Sequence, residues 1–119
     1  MSWDPDWRKT GTEPDYRFTL ANERTFLAWI RTTMALLAGA LVVEHLATGA
    51  GKTDYFLLAT AAAMALAALG TSIVSYRHWR ANEVAMRHGG PLAPTRAVPL
   101  LVLAAVVVAA LVLVSSLVR

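Results

Sequence analysis

The chain has 119 residues, 56% of them hydrophobic, a formal net charge of +3 and no cysteine. A soluble domain of this size has too little interior to hide that much apolar surface. The absence of cysteine excludes disulfides, thiolate chemistry and cysteine-held metal. The basic residues gather beside apolar runs, so membrane topology and anionic headgroups account for them before nucleic acid does, and no nucleic-acid partner is expected.

Residues 1–12 read as a flexible cytoplasmic tail, with Pro5, Gly11, Asp4 and Asp6 opposing regular structure and Trp3 and Trp7 suited to a membrane interface. Met1 to Asp15 holds four acids and no apolar core, so it is not a signal peptide. Thr12, followed by Glu13, Pro14 and Asp15, predicts a helix start: a hydroxyl cap, proline in the first turn and acids near the positive end of the dipole.

From there the first helix is expected to run from about 13 to 46, with a crossing part over 26–46 and its first turns projecting at the cytoplasmic side. Ala47–Asp54 forms a short loop. Its GAGKT lacks the correctly spaced first glycine and the preceding strand of a phosphate loop, so no nucleotide site is expected there. Thr53 is the expected cap of a second helix, which crosses over 55–76 and continues to about Arg87. Gly89, Gly90 and Pro91 end it. A third helix is expected over 97–118. The runs 55–76 and 97–118 contain no charged residue, and each is long enough for the roughly 20 apolar residues that span a bilayer. The expected fold is therefore all-α: a tail over 1–12, then one three-helix membrane domain over 13–119.

Arg8, Lys9, Arg17, Arg24, Arg77, Arg80, Arg87 and Arg96 flank one side of these spans, against Lys52 and Arg119 on the other. The excess predicts a cytoplasmic N-terminus and an outward C-terminus.

Arg17, Arg24 and Arg31 are seven residues apart. Seven steps of 100° fall only about 20° short of two turns, so the three share one face of the first helix, each roughly 10 Å above the last. Continuing the step reaches Ala38 and His45. Arg77, Arg80 and Arg87 share a face of the second helix by 3–4 spacing. Such arginines either snorkel to headgroups or, at the depth of Arg31, face a bundle interior, a partner acid or a water-filled cavity. Glu23 is the nearest acid, about 100° round from Arg24 and therefore placed to pair across helices or subunits. Glu44 and His45 at the outer end are either solvated interface residues or a titratable gate. The three histidines have no metal-ligand spacing, so neither metal nor cofactor is expected. With no activated nucleophile and no paired carboxylates, an enzyme is not expected either. Ala59, Ala63 and Ala67 at four-residue steps, with Ala62 and Gly70 beside them, either mark a close helix contact or simply fill the span. The third helix, apolar until Ser115, is expected to face lipid.

LANERTFLAWIRT (residues 20–32) and SYRHWRANEVAMRHGGPLAPTR (residues 75–96) resemble the YidH-like family of small bacterial inner-membrane proteins. The resemblance covers about residue 13 to the C-terminus and implies a multi-pass protein of the bacterial inner membrane. The domain is also similar to the membrane part of the vacuolar transporter chaperone complex, which makes polyphosphate and passes it across a membrane along basic residues of several subunits. That similarity implies roles in a polyanion path for Arg17, Arg24 with its acid Glu23, and Arg80. Arg31 departs from it: the chaperone domain has no arginine there, whereas the bacterial branch reads WIRT. With no polymerase or phosphate-sensing domain in these residues, the implied role is passage or binding and not synthesis.

The expectation is a homo-oligomer, a trimer as the family resemblance implies, in which Arg17, Arg24, Arg31 and Arg80 line a site that binds or conducts a phosphate-rich anion. The rival is a structural or assembly subunit whose arginines bind anionic lipid or a membrane partner.

Overall fold

The computed structural model of the protein describes residues 5–49, 51–92 and 97–118. Trp3, Arg96 and Arg119, used above as an interface anchor and as topology charges, lie outside the described residues, as do Asp4, Pro94 and Thr95. A short 3-10 turn over Asp6–Lys9 precedes three α-helices: α1 (Tyr16–Thr48), α2 (Tyr55–Arg87) and α3 (Ala97–Val118). All three are long and apolar enough to cross a membrane. α2 sits in the middle, with α1 packed along it on one side and α3 on another.

The first two helices start one to three residues later than the hydroxyl caps predict, because a carboxylate wins each time. Asp15, not Thr12, caps α1 by accepting from the Arg17 backbone N–H at 2.9 Å. Asp54, not Thr53, caps α2 by accepting from the Phe56 and Leu57 N–H groups at 3.1 and 3.2 Å. The Arg17 guanidinium also binds Asp15, at 3.0 Å, and with the backbone bond it holds that carboxyl below its usual range. α2 ends as Gly89, Gly90 and Pro91 predict. Gly89 takes φ +68°, and the Gly90 N–H reaches back to the Ala85 carbonyl at 2.9 Å, the outer bond of a Schellman turn.

The interior is built from small side chains. Among the described residues, Ala40, Ala47, Ala61, Ala67 and Ala68 are its buried apolar residues, and the largest fully buried side chains are Thr71 and Ser75. Their hydroxyls return to their own helix, at the Ala67 and Ser72 carbonyls, as a water-poor environment requires. Close approach needs this economy: a Cβ on Gly39 would lie 2.5 Å from the Met64 methyl, and one on Gly70 would lie 3.3 Å from Leu100 of α3. Of the predicted alanine line, Ala67 is buried and Ala59 exposed, so the contact runs obliquely. The large apolar side chains, among them Leu27, Leu41, Leu66, Ile73, Val102 and Leu113, point outward. α3 exposes nearly all of its apolar surface, as a lipid-facing helix does.

At about 1.5 Å per residue the 33 residues of α1 or of α2 reach about 50 Å, against roughly 30 Å of hydrocarbon. The surplus projects at the end that carries the N-terminal segment, here the basic end. The register is antiparallel and fixed at three heights: Asn22 against Trp79 and Asn82, Gly39 against Met64, and Ala47 against Asp54. It sets Arg31 level with Ser72, Arg24 with Trp79 and Arg17 with Met86.

Where composition predicts a tail, residues 5–12 instead lie against the end of α2. The Arg87 side chain, 7% exposed, donates from Nε to the Thr10 carbonyl at 3.0 Å, from Nη2 to the Arg8 carbonyl and from Nη1 to Glu13 Oε2 at 3.2 Å. Its own carbonyl accepts from the Thr12 N–H at 2.9 Å. Gly11, at φ +73°, passes so close that a Cβ there would lie 2.6 Å from the Arg87 carbonyl oxygen. Trp7 sets its edge on Trp79, ring centroids 5.9 Å apart. Proline and glycine shape this segment into a strap.

Candidate functional site: the arginine faces of the basic end

The buried residues of α1, Asn22, Thr33, Ala40 and Ala47, define the face that meets α2. At 100° per residue, Arg24 and Arg31 lie about 160–180° away from that face and Arg17 about 140° away. All three are exposed, so the stripe points away from the chain's own helices. Arg31 therefore does not face an interior formed by this chain. Arg17 is tied to Asp15, but among the described residues neither Arg24 nor Arg31 has a hydrogen-bond or ion-pair partner. Glu23 is exposed beside Phe26, Leu27, Tyr76 and Trp79, and pairs with none of these arginines within the chain.

Arg80 does not join the stripe. It lies with Arg77 on the face of α2 turned away from α1, on an open groove of about 1,020 Å³ whose wall is Trp7. The Arg77, Arg80 and Arg87 face expected from spacing divides accordingly: the first two stay exposed, and the third is buried under the strap. Glu44 and His45 are both exposed but project about 100° apart, His45 along the arginine stripe and Glu44 toward the α2 side, so they do not form a pair.

A second polar constellation holds the hairpin together at the level of Arg24. Asn22 Nδ2 donates to the Trp79 carbonyl at 3.0 Å and to Glu83 Oε1 at 3.2 Å, and Asn82 Nδ2 donates to Asn22 Oδ1 at 3.2 Å. Asn22, Asn82 and Glu83 are each under a tenth exposed. A signal for them stands in the sequence: Ala-Asn-Glu occurs at residues 21–23 and again at 81–83, one copy on each helix. Asn22 bonds both Asn82 and the second glutamate, Glu83, leaving the first glutamate, Glu23, outside.

Three apolar helices around a core of alanines and hydroxyls, two of them carrying uncharged runs long enough to span a bilayer, define a multi-pass membrane protein. The chain belongs to the family described as a domain of unknown function, DUF202, whose model matches residues 17–87. That match contains the α1–α2 hairpin, the stripe and Arg87. The chain is 39% identical to the inner membrane protein YidH of Escherichia coli K12 over 105 residues, 88% of this chain and 90% of the relative. It is 43% identical over 97 residues to an uncharacterised protein of Mycobacterium tuberculosis, covering 77% of this chain and 75% of that one. The three spans and these relatives make it a multi-pass protein of the bacterial inner membrane. No solved structure matches it.

Proposed function

We propose that this chain is a subunit of a membrane oligomer whose α1 stripes gather around an axis and bind or conduct a phosphate-rich anion, with the basic end in the cytoplasm. The observation that supports the reading is the direction of Arg24 and Arg31: they leave the face of α1 opposite α2, without a partner among the described residues. One chain has too few helices to enclose a polar path, so an internal stripe requires further copies. Rings of arginine suit anion and phosphate pores. The orientation rests on the excess of lysine and arginine at that end. Arg80, on a different face, belongs to the mouth only if a neighbouring subunit turns its groove toward the axis. The role is non-enzymatic.

One observation favours the rival structural role. Side chains on a helix lean toward its N-terminus, which for α1 is the basic end. Arg31, about one turn inside the hydrocarbon, therefore leans toward headgroup phosphates and reaches them by snorkelling. Purified protein of established oligomeric mass, reconstituted in liposomes, separates the two. The pore reading expects flux of phosphate or short polyphosphate that falls about tenfold in Arg24→Ala with the mass unchanged. A correctly assembled oligomer that passes no anion contradicts it.

A further inference from the structure

The groove on the outer face of α2 is built differently from the stripe, and its parts are matched to one kind of ligand. Its lower part is formed by Ser72 and Ile73, its middle by Tyr76, and its upper part by Arg77, Arg80 and the ring of Trp7. No acid lines it. Both arginines are exposed and neither has a hydrogen-bond or ion-pair partner among the described residues.

Depth separates the three arginines of α2. The apolar stretch that begins at Tyr55 fills the hydrocarbon thickness by about Ser75, after roughly 20 residues. Arg77 and Arg80 then lie about 3 and about 8 Å beyond it, inside the headgroup layer, which is roughly 5–8 Å thick on each side. Arg87 lies about 18 Å beyond, past the headgroups, where the strap covers it. On α2 the basic end is the C-terminal end, so the arginine side chains lean back toward the hydrocarbon and into the groove. The strap completes the site. Arg87 holds the Arg8 and Thr10 carbonyls, which fixes the 3-10 turn and sets Trp7 over the groove.

We infer that this groove binds the phosphodiester headgroup of an anionic phospholipid. Arg77 and Arg80 hold the phosphate, Trp7 and Tyr76 flank the glycerol region, and an acyl chain runs down past Ile73. A soluble anion has no use for the lower, apolar half of the groove, which lies at hydrocarbon depth. The site is independent of the α1 stripe and stands or falls apart from any flux.

The full chain in detergent is titrated with phosphatidylglycerol and, separately, with phosphatidylcholine, and retained lipid is counted per chain by native mass spectrometry. Phosphatidylglycerol is expected to be retained preferentially. The combined Arg77→Ala, Arg80→Ala variant is expected to lower its affinity about 30-fold, on the basis of two surface arginines. Lys52→Ala, which removes a charge at the other end, should leave retention unchanged. Trp7→Ala keeps both charges and is expected to cost about fivefold, which scattered surface charge would not. Equal retention of both lipids overturns the assignment. So does displacement of phosphatidylglycerol by millimolar inorganic phosphate, which would make this a soluble-anion site. A change of oligomeric mass in the double variant with lipid retention intact also overturns it, because the groove would then be a subunit contact.

Discussion

Replacing Arg87 by alanine is expected to release residues 5–15 from α2 while leaving the helices in place. The side chain is 7% exposed and supplies three donors along separate directions, two of them to main-chain carbonyls. Hydrogen bonds from a charged donor are worth about 1.5–3 kcal/mol each, and the freed carbonyls lie near water, so the net cost is about 3 kcal/mol, localised to the strap. Amide exchange at Thr12, whose N–H bonds the Arg87 carbonyl at 2.9 Å, should accelerate about 100-fold. Glu13→Ala should do far less. Glu13 is 72% exposed, and an exposed ion pair contributes about 1 kcal/mol at most. Arg87→Lys should not restore protection, because one ammonium cannot serve the three acceptors of a planar fork. Exchange at Thr12 as slow in Arg87→Ala as in the parent would show that the strap is held by something else.

The other large effect is expected at Asn22. In Asn22→Asp the Trp79 carbonyl and Glu83 Oε1 both lose their donor, and a second carboxylate is placed beside Glu83 where each group is under a tenth exposed. Orphaning buried polar atoms and crowding like charges together cost about 3 kcal/mol or more. Asn22→Ala orphans the same acceptors, and the Asn82 Nδ2 donor as well, but adds no charge and should cost less. The midpoint of thermal unfolding in detergent, followed by circular dichroism, ranks the variants. Adding Glu83→Gln to Asn22→Asp should recover much of the loss, since it removes one charge and supplies an amide donor. If the pair is no better than the single change, the coupling between the two helices does not pass through these groups.

How much of this was legible in the sequence follows from what sets each feature. The three helices were, because span length depends on a run of uncharged residues, which 55–76 and 97–118 display directly. The end of α2 was as well, since Gly89 and Gly90 have few alternatives there. The caps were displaced by a few residues because several candidate side chains stood side by side and the carboxylates won. The stripe follows from periodicity alone, and the structure adds what periodicity cannot: the register with α2 that puts Arg31 level with Ser72. Composition could not show the fate of Arg87. Spacing puts it on one face with Arg77 and Arg80, and only the return of a proline- and glycine-bearing segment from more than seventy residues earlier buries it. The asparagine pair is hidden in the sequence for a similar reason. Two short Ala-Asn-Glu strings signify little until the hairpin brings them to one height.

That hairpin coincides with the family match, residues 17–87. The match ends on the residue that clamps the strap and omits α3, whose packing on α2 rests on small-residue contacts such as Gly70 with Leu100. What the matched region contains is a helix pair tied by buried amides, with one arginine face on each outer side.

In the proposed oligomer the α1 stripe turns toward other copies of the chain and not toward lipid. The sequence has no cysteine, so a single one can be placed at will. Ala38 is exposed on the stripe between Arg31 and His45, within the hydrocarbon. Ala38→Cys, oxidised in native membranes, should give disulfide-linked dimers in high yield, whereas Val106→Cys, on the outward face of α3, should give few. Equal, low yields at both positions would place the stripe against lipid and contradict the account.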